Sequence, residues 1–333
     1  MLKSVFLRLS LLSIFLLVLV SPPNAITTSI SANDHSWNFV AYGDTRSNHT
    51  AHQQVVDRFL QYDPEFVINT GDLVHHGGDD DAWAEYLRIT ENITGPIYPC
   101  IGNHETDGDP DWANYIKYTG CETYYSFDWK GIHCVSVNTE ENWIEQNGSF
   151  TPTKEQWNWL IKDLSKNADR TLIVFFHRPM FSPNPGRAVH ADAVRVLLLD
   201  TFIQYDVDLV FNGHDHYYYR TYRNGTYYVV TGGGGAPLYY PRDPDGTLML
   251  SDDVAFRAHH FCNIAVNDSH LTATGIMANG TLGDSFTMAL EGSSISYRAS
   301  EDSSGFELGF FLAIVGLVVF RKIAPKRNQR PKC

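Results

Sequence analysis

Cysteine is scarce in this chain, five in 333 residues. None falls in the polar clusters that end its apolar runs, which excludes a thiolate metal centre. Basic residues are few as well, 25 Lys and Arg against 38 Asp and Glu. Lys3, Arg8 and the six between Arg321 and Lys332 sit at the extremes, so the sequence between them is strongly acidic. Recruiting nucleic acid over long range needs a basic patch, so no nucleic-acid partner is expected. The glycine run Gly232 to Gly235 has no lysine behind it. It ends in Ala236-Pro237, whereas a nucleotide phosphate loop ends in lysine and a hydroxyl residue. The run reads either as a loop whose backbone comes close to a site or as a flexible turn after the strand Tyr227 to Val230.

What is present is a series of five polar clusters: Gly43-Asp44-Thr45-Arg46, Gly71-Asp72-Leu73-Val74-His75, Gly102-Asn103-His104-Glu105, Phe176-His177-Arg178-Pro179 and Gly213-His214-Asp215-His216. Each follows a strand-like stretch (Asn38 to Tyr42, Phe66 to Asn69, Ile97 to Ile101, Leu172 to Phe176, Leu209 to Phe211), so each projects from a strand's carboxyl end, where α/β folds hold ligands. Singly, each reads as a turn or a half-buried imidazole. Together, two aspartates, an amide and several imidazoles form a mixed oxygen and nitrogen set suited to Mn, Fe, Zn or Ni rather than Mg or Ca. Paired metals of this kind activate water for attack on phosphorus, so phosphate ester hydrolysis is the expected chemistry.

The order of these motifs over residues 43 to 216 resembles the calcineurin-like metallophosphoesterase superfamily. The runs His177 to Ser182, Gly213 to Thr221 and Thr231 to Pro237 are similar to its purple acid phosphatase branch. The resemblance implies two divalent metal ions (Mn, Fe or Zn), the first held by Asp44, Asp72 and His216. The second would be held by Asp72, Asn103, His177 and His214, with Asp72 bridging. It places His104 beside the phosphoryl group as hydrogen-bond or proton donor. Two positions depart from the pattern. His75 stands where the branch carries its iron-binding tyrosine, so no purple colour is expected. His75 would ligate, His76 would replace it, or both rings would face solvent. Arg46 stands where many members place a metal-binding histidine, and reads as a clamp on a substrate oxygen or as a surface arginine paired with a carboxylate. Arg46, Arg178 and Arg220 are the candidates for positive potential around a phosphate.

Helical patterns alternate with the early strands: Thr50 to Tyr62, Ala82 to Thr90, Pro110 to Tyr118, Thr153 to Lys166 and Ala191 to Gln204. The fourth opens on a capping-box pattern at Thr153. The late strands Tyr217 to Arg223, Thr226 to Val230, Phe261 to Val266 and Leu271 to Met277 read as hairpins. The expected fold is α/β, a four-layer α/β/β/α sandwich of two mixed β-sheets flanked by helices. The N-terminal β domain of plant purple acid phosphatases is not expected. Residues 1–25 read as a signal peptide, 36–288 as the metallophosphoesterase domain, 289–305 as a Ser-rich linker, 306–324 as a C-terminal transmembrane or sorting segment and 325–333 as a basic tail.

Six Asn-x-Ser/Thr triplets, headed by Asn48, Asn92, Asn147, Asn224, Asn267 and Asn279, agree with export. In that compartment disulfides are allowed, and Cys100 with Cys134 is the preferred pair. The functional expectation is a secreted, surface-anchored phosphohydrolase acting on small phosphate monoesters, attached to the membrane through its C-terminal segment on the extracellular face. The alternatives are a phosphodiesterase or nucleotidase on the same metal core, with Trp83, Trp112, Trp143 or Tyr217 to Tyr219 stacking a base, and a non-catalytic binding module.

Overall fold

The computed structural model describes residues 36–142, 150–241 and 249–290. The early strands are β1 (Trp37–Tyr42), β2 (Val67–Asn69), β3 (Ile97–Pro99), β4 (Tyr125–Trp129), β5 (Ile132–Ser136), β6 (Thr171–Phe176) and β7 (Leu209–Asn212). They are followed by β8 (Tyr218–Arg223), β9 (Thr226–Thr231), β10 (Val254–Phe256), β11 (His260–Val266), β12 (His270–Met277) and β13 (Leu282–Ala289). The helices are α1 (His49–Phe59), α2 (Asp80–Ile89), α3 (Ala113–Thr119), α4 (Lys154–Asn167) and α5 (Pro185–Gln204). The strands form two mixed sheets, ordered β13-β12-β11-β1-β2-β3 and β10-β8-β9-β7-β6-β5-β4.

Side-chain alternation explains the layering. In β1, Phe39 and Ala41 face the inter-sheet core, while Val40 and Tyr42 pack against Val55, Val56 and Phe59 of α1. In β6, Ile173 and Phe175 join the inter-sheet core, while Leu172, Val174 and Phe176 pack against Leu160 and Leu164 of α4 and Val194, Leu198 and Phe202 of α5. Strands apolar on both faces must be covered on both faces. Each fully buried large apolar side chain contributes roughly 1.5–3 kcal/mol. The expected four-layer arrangement is therefore the one observed.

β1, β2 and β3 run parallel, as do β6 and β7, so their carboxyl ends can gather the five motifs. Asn224 and Gly225 both have positive φ, 53° and 92°, and make the two-residue turn of the β8–β9 hairpin. Two hairpins predicted alike go to different sheets: β11 joins β1, whereas β8 and β9 extend the sheet of β7.

Helix boundaries shift by up to three residues at α1, whose last turn Leu60–Tyr62 is a 3-10 turn, and at α2, and two starts carry a clear cause. α5 starts at Pro185 rather than Ala191, because Asn184 Oδ1 caps it by accepting from Gly186 N and Pro185 fits the first turn. α3 starts at Ala113, after Trp112 turns into the left-handed region. The Cys100–Cys134 bridge is not formed. Both thiols are free and buried, Cys100 just past β3 of one sheet and Cys134 in β5 of the other. Facing sheets stand roughly 10 Å apart, beyond the Cα separation a disulfide spans. Among the described residues no helix is long and apolar enough to cross a membrane. The predicted linker start at 289 falls on the last residue of β13, which runs to Ala289; the predicted leader, the linker from residue 291, the C-terminal segment and the tail lie outside the described residues, as do Trp143 and Asn147.

Candidate metal centre

Two aspartates enter the site from strained turns. Asp44 follows β1 with φ of 56° and Asp72 follows β2 with φ of 53°. Gly71, at φ 91°, makes the second turn, and a Cβ there would stand 2.8 Å from His177 Nδ1. Asp44 Oδ2 accepts from His214 N at 2.9 Å, tying β1 to the loop after β7. Gly232 opens the glycine run beneath Asp44, where a Cβ would lie 2.7 Å from Asp44 Oδ2 and 2.4 Å from Asp215 O. The run is thus a close-approach loop: Gly234 N and Ala236 N donate to the carbonyls of Gly43 and Asp44.

The histidines are oriented by carbonyls behind them. His177 Nδ1 donates to Thr70 O at 2.9 Å and His216 Nδ1 to Pro237 O at 2.7 Å. Each therefore turns an Nε2 lone pair inward, the second-sphere arrangement typical of metal-bound imidazole. His216 Nε2 lies 3.3 Å from Asp44 Oδ1, and Asp44, Asp72 and His216 each offer a ligand atom within 4.8 Å of the others. His177 Nε2 lies 3.2 Å from both Asp72 Oδ1 and Asn103 Oδ1, and His214 Nδ1 lies 3.0 Å from Asn103 Oδ1. Buried carboxylate, amide and imidazole donors grouped this closely form a set that could hold metal: Asp44, Asp72 and His216 for one ion, with Asp72, Asn103, His177 and His214 as candidates for a second. Burial, then Arg178, His177 and Arg187, hold the His214 imidazole well below its ordinary range and so neutral. Burial works against ionisation of Asp72, yet His177, His104 and Arg46 keep its carboxyl well below the usual carboxylate range.

His104 is placed differently. Its Nδ1 donates to His75 O at 2.7 Å, and it lines the central cavity beside Arg46, Asp72 and His216. Nε2 is the atom left to face a ligand, 3.9 Å from Asp72 Oδ2. His75 is not brought into the donor set. It is exposed, stacks on His104 with ring centroids 5.3 Å apart, and borders a neighbouring cavity next to Ser47. The loop after Asp72 turns outward and His76 is exposed as well, so the third of the three readings, both rings toward solvent, describes the structure.

Arg46 pairs with a carboxylate, that of Asp72, Nε to Oδ2 at 3.1 Å, and Nη2 reaches within 3.5 Å of His216 Nε2, so it lies at the site and not on the open surface. Arg178 lines the cavity and pairs with Glu140 at 2.9 Å. Arg220 does not reach the site, because it is bound to Asp284 of β13. Trp83 and Tyr217 to Tyr219 are buried core side chains, so among the described residues Trp112 is the one of these aromatics that lines the cavity.

Three participants were missed in the sequence. Arg187, in the first turn of α5, places Nη1 2.6 Å from His214 Nε2, and the Asn184-Pro185 start signal was its clue. Tyr239 stacks on His216 with centroids 4.1 Å apart. Glu105 was quoted in its motif without a role. It is fully buried and accepts from Asp72 N, Leu73 N, Val74 N and Gly102 N at 2.8–3.2 Å, bracing two metal-site loops against each other.

A calcineurin-like phosphoesterase family model matches residues 38–218, more than half of the chain. The chain belongs to that family. Similar proteins include the phosphoenolpyruvate phosphatase of Allium cepa, 25% identical over 228 residues, which covers 62% of this chain and 46% of that protein. Acid phosphatase type 7 of Mus musculus is 30% identical over 202 residues, 54% of this chain and 45% of that protein. The chain thus spans about half the length of the curated relatives it matches. Its fold is similar to a purple acid phosphatase from yellow lupin, with TM-score 0.62 at 20% identity over 76% of this chain and 54% of that one. It is also similar to GAP50 of Plasmodium, described as the anchor in the inner membrane complex, with TM-score 0.62 at 15% identity over 77% and 89%.

Proposed function

We propose that this phosphoesterase hydrolyses small phosphate monoesters at a pair of divalent ions, Mn, Fe or Zn. The observation that carries the reading is the convergence of Asp44, Asp72, Asn103, His177, His214 and His216, donor atoms inward, under a cavity that also holds His104. Two bound ions would neutralise the phosphoryl oxygens and supply a nucleophile at neutral pH. Arg46 and Arg187 lie beside those ligands, where guanidinium forks can orient phosphoryl oxygens. His104, its Nδ1 proton committed to His75 O, has only Nε2 with which to protonate a leaving alkoxide, so imidazolium is its working form. An intact ligand set argues against a non-catalytic binding module.

The test is to load the full-length protein with Mn, count metal per chain, and compare p-nitrophenyl phosphate with its bis ester. Two ions per chain and preferential monoester turnover are expected. Turnover of the diester alone would move the assignment to phosphodiesterase.

We further propose that the enzyme works outside the cell, held at the membrane by its C-terminal segment. The apolar stretches near both ends support this, as does the exposure of Asn48, Asn92, Asn224, Asn267 and Asn279. Protease treatment of intact cells should remove the activity; activity protected until lysis would contradict it.

A further inference from the structure

Charge is unevenly distributed around the cavity of about 850 Å³ that contains His104. Its three arginines all touch metal-site side chains: Arg46 meets Asp72, while Arg178 and Arg187 meet His214. The guanidinium groups are therefore at the reacting end, where Asp72, Glu140 and Asp215 pair with them. The wall that leads outward carries the opposite sign. Asp107 and Asp111, both exposed, line it together with Trp112 and with Glu141 of the loop before α4. Asp111 has no ion-pair partner among the described residues, and Asp107 is opposed only by the imidazoles of His76 and His104, at 3.7 and 3.5 Å. Glu141 accepts from Thr153 and Gln156 without a cation.

A phosphate ester reaching this site puts its dianionic end among the arginines and its alcohol portion along the acidic wall. A second anionic group on the alcohol meets carboxylates at short range, where like charges repel to an extent that salt screens. An ammonium group meets those carboxylates favourably and has the face of Trp112 to rest on. We propose that this enzyme selects monoesters of amino alcohols, with Asp107, Asp111 and Trp112 recognising the cationic end. The proposal rests on the phosphomonoesterase reading and adds the charge of the alcohol to it.

The test is a charge series on the full-length, Mn-loaded protein: phosphocholine, glycerol 3-phosphate and 3-phosphoglycerate, with p-nitrophenyl phosphate as reference. kcat/KM is expected to fall in that order, with about tenfold or more between the ends, carried mainly by KM and shrinking at about 0.5 M salt. Asp111→Asn should raise KM for phosphocholine and lower it for 3-phosphoglycerate. The opposite signs separate lost recognition from damaged folding, which raises both. Equal kcat/KM across the series, preference for the anionic ester, or parallel KM changes in the variant would overturn the proposal while p-nitrophenyl phosphate turnover upholds the enzyme. If no ester is turned over, p-nitrophenyl phosphate included, both readings fall.

Discussion

Replacing Glu105 with Gln tests whether the metal loops are braced by one buried carboxylate. Glu105 Oε2 accepts from Asp72 N and Gly102 N at 2.9 and 2.8 Å, and Oε1 from Leu73 N and Val74 N at 2.8 and 3.2 Å. Burial and then the nearby Asp72 push this carboxyl up, against the pull of these backbone donors. A neutral acid would turn its hydroxyl on an N–H, so four donors on two oxygens favour the carboxylate. Glutamine turns its NH₂ toward two of these N–H groups whichever way it is oriented. Two buried donors then lose their acceptor, at about 1–3 kcal/mol each, and the remaining two bonds lose their charge assistance. The sum is about 3–6 kcal/mol, a large part of a typical stability of about 5–15 kcal/mol. At about 2–4 °C per kcal/mol for a domain of this size, the melting temperature should fall by about 6–24 °C. Calorimetry of Glu105→Gln measures it, and metal affinity should fall with it because Asp72 N is one of the released donors. A melting temperature within about 2 °C of wild type would refute the four-way acceptor.

Replacing His104 with Ala should leave metal content unchanged and lower turnover of p-nitrophenyl phosphate by about 10²-fold or more; unaltered turnover removes it from the mechanism. His52 is buried against Tyr42 and Tyr86, and burial, followed by His49, lowers its pKa to about 3. Its unfolded form gains a proton below about pH 6.5 that the folded form refuses. Stability should therefore drop from about pH 6.5 toward 3, by up to about 1.4 kcal/mol per pH unit, and His52→Phe should flatten that slope in urea titrations. His133 behaves oppositely: burial opposes its charge, but Asp163 and Asp128 outweigh it and raise the pKa. The stability it contributes is complete below about pH 6.5 and is lost as pH rises through the folded pKa, so His133→Gln should cost more at pH 5.5 than at pH 9 in thermal melts. Adding Mn to chelator-stripped protein should raise stability by about 2.7 kcal/mol at a hundredfold excess over Kd, and no shift would speak against a formed metal site.

The five motifs were readable in the chain because each is a contiguous run at the end of an apolar strand, and so was the mixed two-sheet architecture. Residues that act through a distant partner were not readable. Arg187 gains its place only because Asn184 caps α5 near His214, and Arg220 looked similar yet is held by Asp284, 64 residues away. The strands β4 and β5 were harder to see than β6, since their pairing with one another is set by the register Tyr125 to Ser136. The Cys100–Cys134 pairing failed for the same reason: strand character says nothing about which sheet a strand enters.

Residue type and order along the chain were enough to determine the donor chemistry, carboxylate, amide and imidazole without thiolate, because those are properties of side chains and of local turns. Which nitrogen of each imidazole points inward, that His75 faces out while Arg46 lies on Asp72, and that carboxylates gather on the outer wall of the cavity were decided by tertiary structure. These depend on contacts between segments distant in the chain, 26 residues for Arg46 with Asp72, 107 for Thr70 with His177 and 170 for Asp44 with His214, and no local pattern encodes such distances.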